Sequence, residues 1–329
     1  MTSYGSRLLF VTTLMLVLLV AAFGGAEQAA SADLRGQRPA PLAATTRLVC
    51  KSGCTGSYYT SISDAVSASS SGDEIHVAQG TYNETVQVYD KSLTVLGGYS
   101  KNWSARDPDT YVSTIQAASG KSAVRLVSTS ANNTGTVDGF TVTGSSHSGQ
   151  GGGFWINGYR ATVSNNWIHD NEAARGGGIS VSGATNVVIQ DNVIEDNTAT
   201  ADGGGIRVQV STVSIIGNEI LDNTATENGG GINVINGTVT IDDNTINGNR
   251  SLQLGGGGIM ARVDSHCTIT NNRIKLNRSV VGGGGTPSRI RTARLRAMTS
   301  GGTRPPTSAA VSRSFGRTST WRTTTSTTT

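Results

Sequence analysis

Asp170, Asp196 and Asp222 recur at intervals of 26 residues, each directly before an asparagine, and the series stops at Gly248. Carboxylates stacked at one repeat distance repel unless they are screened or bridged, and a calcium ion accepts several such oxygens. Calcium ligation is the sharp reading of this column. The reading we prefer is an exposed acidic bend copied along with its repeat. A second set follows runs of glycine and reads Trp155, Ser180, Arg207, Asn233, Met260. A sugar-binding face wants an aromatic platform with Arg and Asn nearby, and Trp155 with Arg207 is a sparse version of one. Its plain competitor, again preferred, is a solvated sheet face with one exposed tryptophan.

The elements that position these residues follow from an internal period. A glycine run before an apolar residue recurs at Phe154, Ile179, Ile206, Ile232 and Ile259, in steps of 25, 27, 26 and 27. The pattern N-x-I-x-x-N recurs at Asn166, Asn192, Asn218, Asn244 and Asn272, in steps of 26, 26, 26 and 28. Two marks drifting together define one repeat. Inside it apolar residues alternate, as at Ile206 and Val208 and again at Val213 and Ile215, which predicts three short half-buried strands per repeat. Three strands in about 26 residues make one coil of a parallel β-helix whose coils pair about 4.8 Å apart. The fold class is all-β. Val163, Ile189, Ile215, Ile241 and Ile269 then stack inside, as do Ile168, Ile194, Ile220, Ile246 and Ile274. Cys267 takes the place of Val187, Val213 and Val239 and reads as a small buried apolar residue. The asparagines fall at bends, where stacked amides can bond along the axis and satisfy inward-turned backbone.

The N-terminal side fits the same plan. Thr60-Ser-Ile-Ser-Asp-Ala-Val-Ser predicts a short capped helix with Ile62 and Val66 on one side, as a solenoid end needs. Strands are expected at 74–78, 85–88 and 92–96. Before that, Arg7, the apolar run 8–22 and Ala30-Ser31-Ala32 form a secretory signal over residues 1–32, followed by a linker over 33–46. The apolar run is too short for a bilayer span, so export is expected, with no membrane span after cleavage. Cys50 and Cys54 sit close enough to close a disulfide in an oxidising compartment. The net charge is +4, but eight arginines and no acid fall in residues 286–329, leaving 18 bases against 22 acids elsewhere. No nucleic-acid surface follows from that balance.

The stretch SISDAVSASSSGDEIHVAQGTYNETV…KSLTVLGGYS resembles the opening of secreted bacterial right-handed parallel β-helix proteins of the pectin-lyase-like superfamily. The GGGI…N-x-I-x-x-N coils are similar to their repeats, and to those of polymorphic outer-membrane proteins. The resemblance covers about 47–285 and implies a right-handed helix; it leaves function open, because the architecture hosts lyases, hydrolases and adhesins. Some polysaccharide lyases of the fold use calcium to neutralise a uronate beside an Arg or Lys base, and Arg175 and Arg207 are the bases in the relevant coils. The polygalacturonases pair NTD, DD, GHG and RIK motifs. Here Asp242-Asp243, His266 and Arg273-Ile274-Lys275 occur, but NTD and GHG are missing, so we read these as coincidence.

From Thr286 the period is lost, and a Thr/Arg-rich tail runs to Thr329. Such a composition builds no core, so disorder is expected. A linker and a shifted reading frame both account for it, and we favour the frameshift because threonine codons read one base over yield Asn or Asp. The expectation is an exported cell-surface or extracellular β-helix that contacts polysaccharide without demonstrable catalysis. The alternative is a calcium-assisted polyuronate lyase and, behind it, a glycoside hydrolase.

Overall fold

The alternating apolar residues do turn inward. The computed structural model describes residues 44–118, 120–130 and 132–279, with the backbone of Val311–Arg313 and Trp321–Arg322. The signal segment, the first part of the linker and the rest of the tail, including the frameshift reading, lie outside the described residues.

Successive coils pair in parallel, and each strand's partner is its counterpart one coil on. Three sheets run along the axis. One holds the strands preceded by glycines, such as Ile206–Gln209; the next holds strands such as Thr212–Ile216; the third holds Glu219–Leu221 and its equivalents. A fourth, shorter sheet begins at Glu172–Arg175 and continues through Thr198–Asp202 to Arg278–Ser279. The three expected strands are therefore present in the repeat coils, and a further short one is added. Its inward residues are the small Ala173, Ala199, Ala225 and Ser251, which carry too weak an apolar signal to mark a strand in the sequence.

The stacked columns are as the repeat requires. Val163, Ile189, Ile215, Ile241 and Ile269 are paired in register, and so are Ile168, Ile194, Ile220, Ile246 and Ile274. Cys267 lies in register with Val239 and is buried, which pushes its thiol up to about 12. It is packing, not a ligand.

The asparagines form two ladders. In one, the backbone N–H and side-chain Nδ2 of Asn192 both donate to Oδ1 of Asn218, at 3.0 and 2.9 Å. The same pattern links Asn166 to Asn192, Asn218 to Asn244, and Asn244 to Asn272. The second ladder joins Asn171, Asn197, Asn223, Asn249 and Asn277 in the same way. Each amide also donates inward to a carbonyl of the preceding coil, as Asn197 does to Ile168 at 2.9 Å. The ladders thus satisfy backbone groups that turn inward at the bends.

At the N-terminal end helix α1 (Ile62–Ala68) buries Ile62, Ala65 and Val66. Ser61 caps it by accepting from the Asp64 N–H, and the Glu84 carboxylate accepts from the N–H groups of Ile62 and Ser63 at 2.9 and 2.8 Å. Cys50 and Cys54 are joined by a disulfide just before this helix.

Candidate functional site

The glycine runs decide where the functional side chains lie. In each repeat coil the glycine three residues before the apolar residue adopts a left-handed conformation, with φ of +70° at Gly203. This turn brings the chain back over its own sheet: a Cβ on Gly203 would lie 2.8 Å from the Cβ of Arg207. The residue before the glycines therefore comes to face the residue five positions later. Gln150 with Trp155, Arg175 with Ser180, Asp202 with Arg207, and Asn228 with Asn233 are such pairs. Gln150, Arg175, Asp202 and Asn228 are bridged one to the next between coils, and Trp155, Ser180, Arg207 and Asn233 are paired in register. The result is a covered polar layer of two facing rows, running parallel to the helix axis.

The column that the sequence places on a solvated face is thus largely buried. Ser180 and Asn233 are 0% exposed, and Arg207 is 4% exposed. This corrects the reading of a solvated sheet face. The cause is the turn at the first glycine, which covers the outer side of the strand. Trp155 is half-buried, and the Arg125 guanidinium lies over its ring, 4.5 Å from the centroid.

This layer is unusual in what it leaves unbonded. Arg125 Nε, Trp155 Nε1, Arg207 Nε, Arg262 Nε and both amide atoms of Asn233 are buried with no partner among the described residues. Native interiors satisfy nearly all such atoms, so these exceptions set the layer apart from the rest of the core. The bonds that do exist are internal. Arg207 donates to Oε1 of Gln150 at 3.3 Å and of Gln209 at 2.8 Å. Asp202 accepts from Arg262 at 2.5 Å and from Asn228 at 2.8 Å. Burial holds the Arg207 pKa below the usual guanidinium range; Asp202 opposes this, while Arg175 and Arg262 add to it.

Asp170, Asp196 and Asp222 lie elsewhere, on the bend before the second ladder, and all three are exposed. Each has φ near +50°, at 52°, 52° and 50°. Aspartate tolerates that conformation better than most residues, which accounts for its recurrence there. At Gly248, where the series ends, the exposed Asp222 carboxylate lies across the next coil in the space a Cβ would take. Among the described residues no group of three or more His, Cys, Asp or Glu side chains converges to hold a metal ion. The donors form a column, not a cage, and we derive no step through calcium.

Burial raises the Asp196 pKa, and repulsion from Glu195, Asp222 and Asp170 raises it further, against His169. A raised folded-state value means that ionisation costs stability as pH rises above the ordinary aspartate range. Asp196→Asn keeps the left-handed backbone and removes the charge. It is expected to raise stability at pH 7 by about 0.5 kcal/mol or less, the size of an exposed charge contact. The gain should vanish below about pH 3.5, where carboxylates protonate. Thermal melts at both pH values check this, and an equal gain at both would show that charge is not the cause.

The sequence reading passed over Trp167. It stands 46% exposed on the third sheet, at the variable position of N-x-I-x-x-N, where other coils place Val193, Glu219 and Thr245. Its Nε1 donates to Glu195 at 2.6 Å, and its ring stacks on His169 at 4.1 Å between centroids. A tryptophan among Val, Glu and Thr in one column was the available signal. His266 is exposed and pairs in register with Thr238, while Asp242 accepts from Thr270 and Asn271, so these are sheet-surface contacts.

Residues 112–274 match a family model described as the right handed beta helix region. No curated protein matches the chain. Coil geometry and family match agree, and the chain is a right-handed parallel β-helix repeat protein.

Proposed function

We propose that this is an exported β-helix protein that binds polysaccharide outside the cell, at the sheet that carries the half-buried Trp155. The observation that carries the reading is Trp155, a partly exposed indole on a sheet whose strands repeat coil by coil along the axis. Such a sheet suits an elongated ligand, and sugar rings stack on indole. The sequence of residues 1–32 and the disulfide between Cys50 and Cys54 support export.

The test is retention of the purified chain on a panel of insoluble glycans, with absorbance monitored for the unsaturated product of a lyase. Retention without such a product is the expected result. Trp155→Ala should weaken retention about fivefold to tenfold, equivalent to roughly 1–1.4 kcal/mol of stacking, with the thermal midpoint measured alongside. Retention that ignores this substitution in a folded variant would place the ligand elsewhere.

A further inference from the structure

We infer that the protein holds a second binding site, on a different sheet from Trp155, in which Arg160 and a row of threonine hydroxyls take a small hydroxylated molecule that bears an oxyanion. The site is a cleft of about 260 Å³ on the outer face of the sheet that also holds Thr212–Ile216. Its floor is made by the strands Leu93–Tyr99, Thr134–Asp138 and Arg160–Ser164, which lie side by side. Alternate residues of a strand face outward, and here they are short. Thr94, Thr136 and Thr162 pair in register and line the cleft. Short side chains on three consecutive coils leave the space open.

The charges that line it do not balance. Asp73, at one end, accepts from Arg47 at 2.7 Å and from the N–H groups of Thr45 and Ser70, both at 2.8 Å. Its carboxylate is thus already answered. Arg160 stands three coils farther on, beside Asn186. Its backbone N–H donates to Asn133, but its guanidinium forms no ion pair among the described residues. None of these ligand-facing groups is closed to solvent: Asn186 is exposed, and Arg160 and the three threonines are half-buried.

A guanidinium presents a planar fork of donors that matches a carboxylate, a sulfate or a phosphate. A threonine hydroxyl both donates and accepts, which suits the hydroxyls of a sugar. Neighbouring threonines lie about 4.8 Å apart, so the row spans about 10 Å, enough for one ring with its charged group turned to Arg160. The cleft is smaller than the roughly 300–1,000 Å³ of pockets for drug-sized ligands, so its ligand is about one sugar unit in size. A sugar acid, a sugar sulfate and a sugar phosphate all carry this chemistry.

The experiment is an NMR titration with glucose, glucuronate, glucose 6-sulfate, glucose 6-phosphate, and inorganic sulfate and phosphate. Wild type is expected to bind at least one anionic sugar about tenfold more tightly than glucose, less so as salt is added. Arg160→Gln should weaken that binding about tenfold, Arg160→Lys less, and Thr136→Val about threefold. Arg250→Gln removes an exposed arginine from the fourth sheet and should bind as wild type does. Thermal melts show that each variant is folded.

Equal affinity for glucose and its anionic forms overturns the site, as does an Arg160→Gln protein that binds like wild type. An equal loss in Arg250→Gln overturns it too, because net charge would then be the cause. Inorganic ions bound as tightly as the anionic sugars, with Thr136→Val without effect, would overturn the sugar-sized ligand. None of these results bears on retention by insoluble glycans, which rests on Trp155.

Discussion

Gly204→Ala is expected to destabilise the protein by about 3 kcal/mol or more, or to prevent soluble expression. Gly204 is the middle residue of its run, and its N–H donates to the Gly229 carbonyl of the next coil at 3.1 Å. A Cβ there would lie 2.4 Å from the Gly230 carbonyl oxygen and 2.6 Å from the carbonyl carbon and oxygen of Thr224. All are backbone atoms of the following coil, so no side chain can swing aside. Relief requires the coils to separate, which breaks the pairing on either side. Overpacking that only shifts side chains costs about 1–3 kcal/mol, and displaced backbone lies at or beyond the top of that range. Gly183→Asn is the control. Its column holds Val210 and Asn236 in the same left-handed conformation, so the cost should stay below about 1 kcal/mol. Urea titration of both variants decides it, and a Gly204→Ala protein as stable as the control would show that the runs do not stack as described.

Asn197→Ala carries the second large effect. The side chain is fully buried in the middle of its ladder. Its Nδ2 donates to Ile168 and to Asn223, and its Oδ1 accepts from the backbone and side chain of Asn171, both at 3.1 Å. Truncation leaves the Asn171 N–H buried with no acceptor and opens a space too confined for free solvent. A buried donor left unsatisfied costs about 1–3 kcal/mol, and the other lost bonds add to it, so the expected total is about 2–4 kcal/mol. Asn272 sits in the last described coil of the other ladder and is only partly buried. Water can replace its amide there, and Asn272→Ala should cost about 1 kcal/mol. Equal costs at the two positions, measured by denaturant unfolding, would mean that burial does not set the strength of a rung.

What the sequence makes legible is whatever repeats with a strong chemical mark. The glycine runs and the asparagine pairs fix the period, and the Ile and Val columns follow from it. The fourth strand escapes because Ala173 and Ala199 are apolar but small, and two or three residues show no alternation. The covered polar layer escapes for a different reason. Arg207 and Asn233 sit where strand alternation points outward, and they do point outward. It is the turn at Gly203 and its equivalents that folds back over them, and alternation says nothing about what covers a strand. The pairing was nevertheless present in the text as polar residues five apart across each run, Asp202 with Arg207 and Asn228 with Asn233. The acidic column is the reverse case. Asp170, Asp196 and Asp222 invite a chemical reading by their spacing, but backbone conformation at the bend is enough to select them.

The pairing of every coil with an equivalent neighbour also makes length a separable property of this molecule. Because neither ladder depends on how many rungs it holds, an in-frame duplication of 26 residues adds one rung to each and one more pair of residues to the covered polar layer. An inserted residue is absorbed within the short strands of the fourth sheet, as at the register shift between Ala173 and Arg175. Larger insertions that are not a whole coil would turn inward columns outward. The span over which the protein touches a long ligand can therefore change in steps of about 4.8 Å, with the fold left as it was.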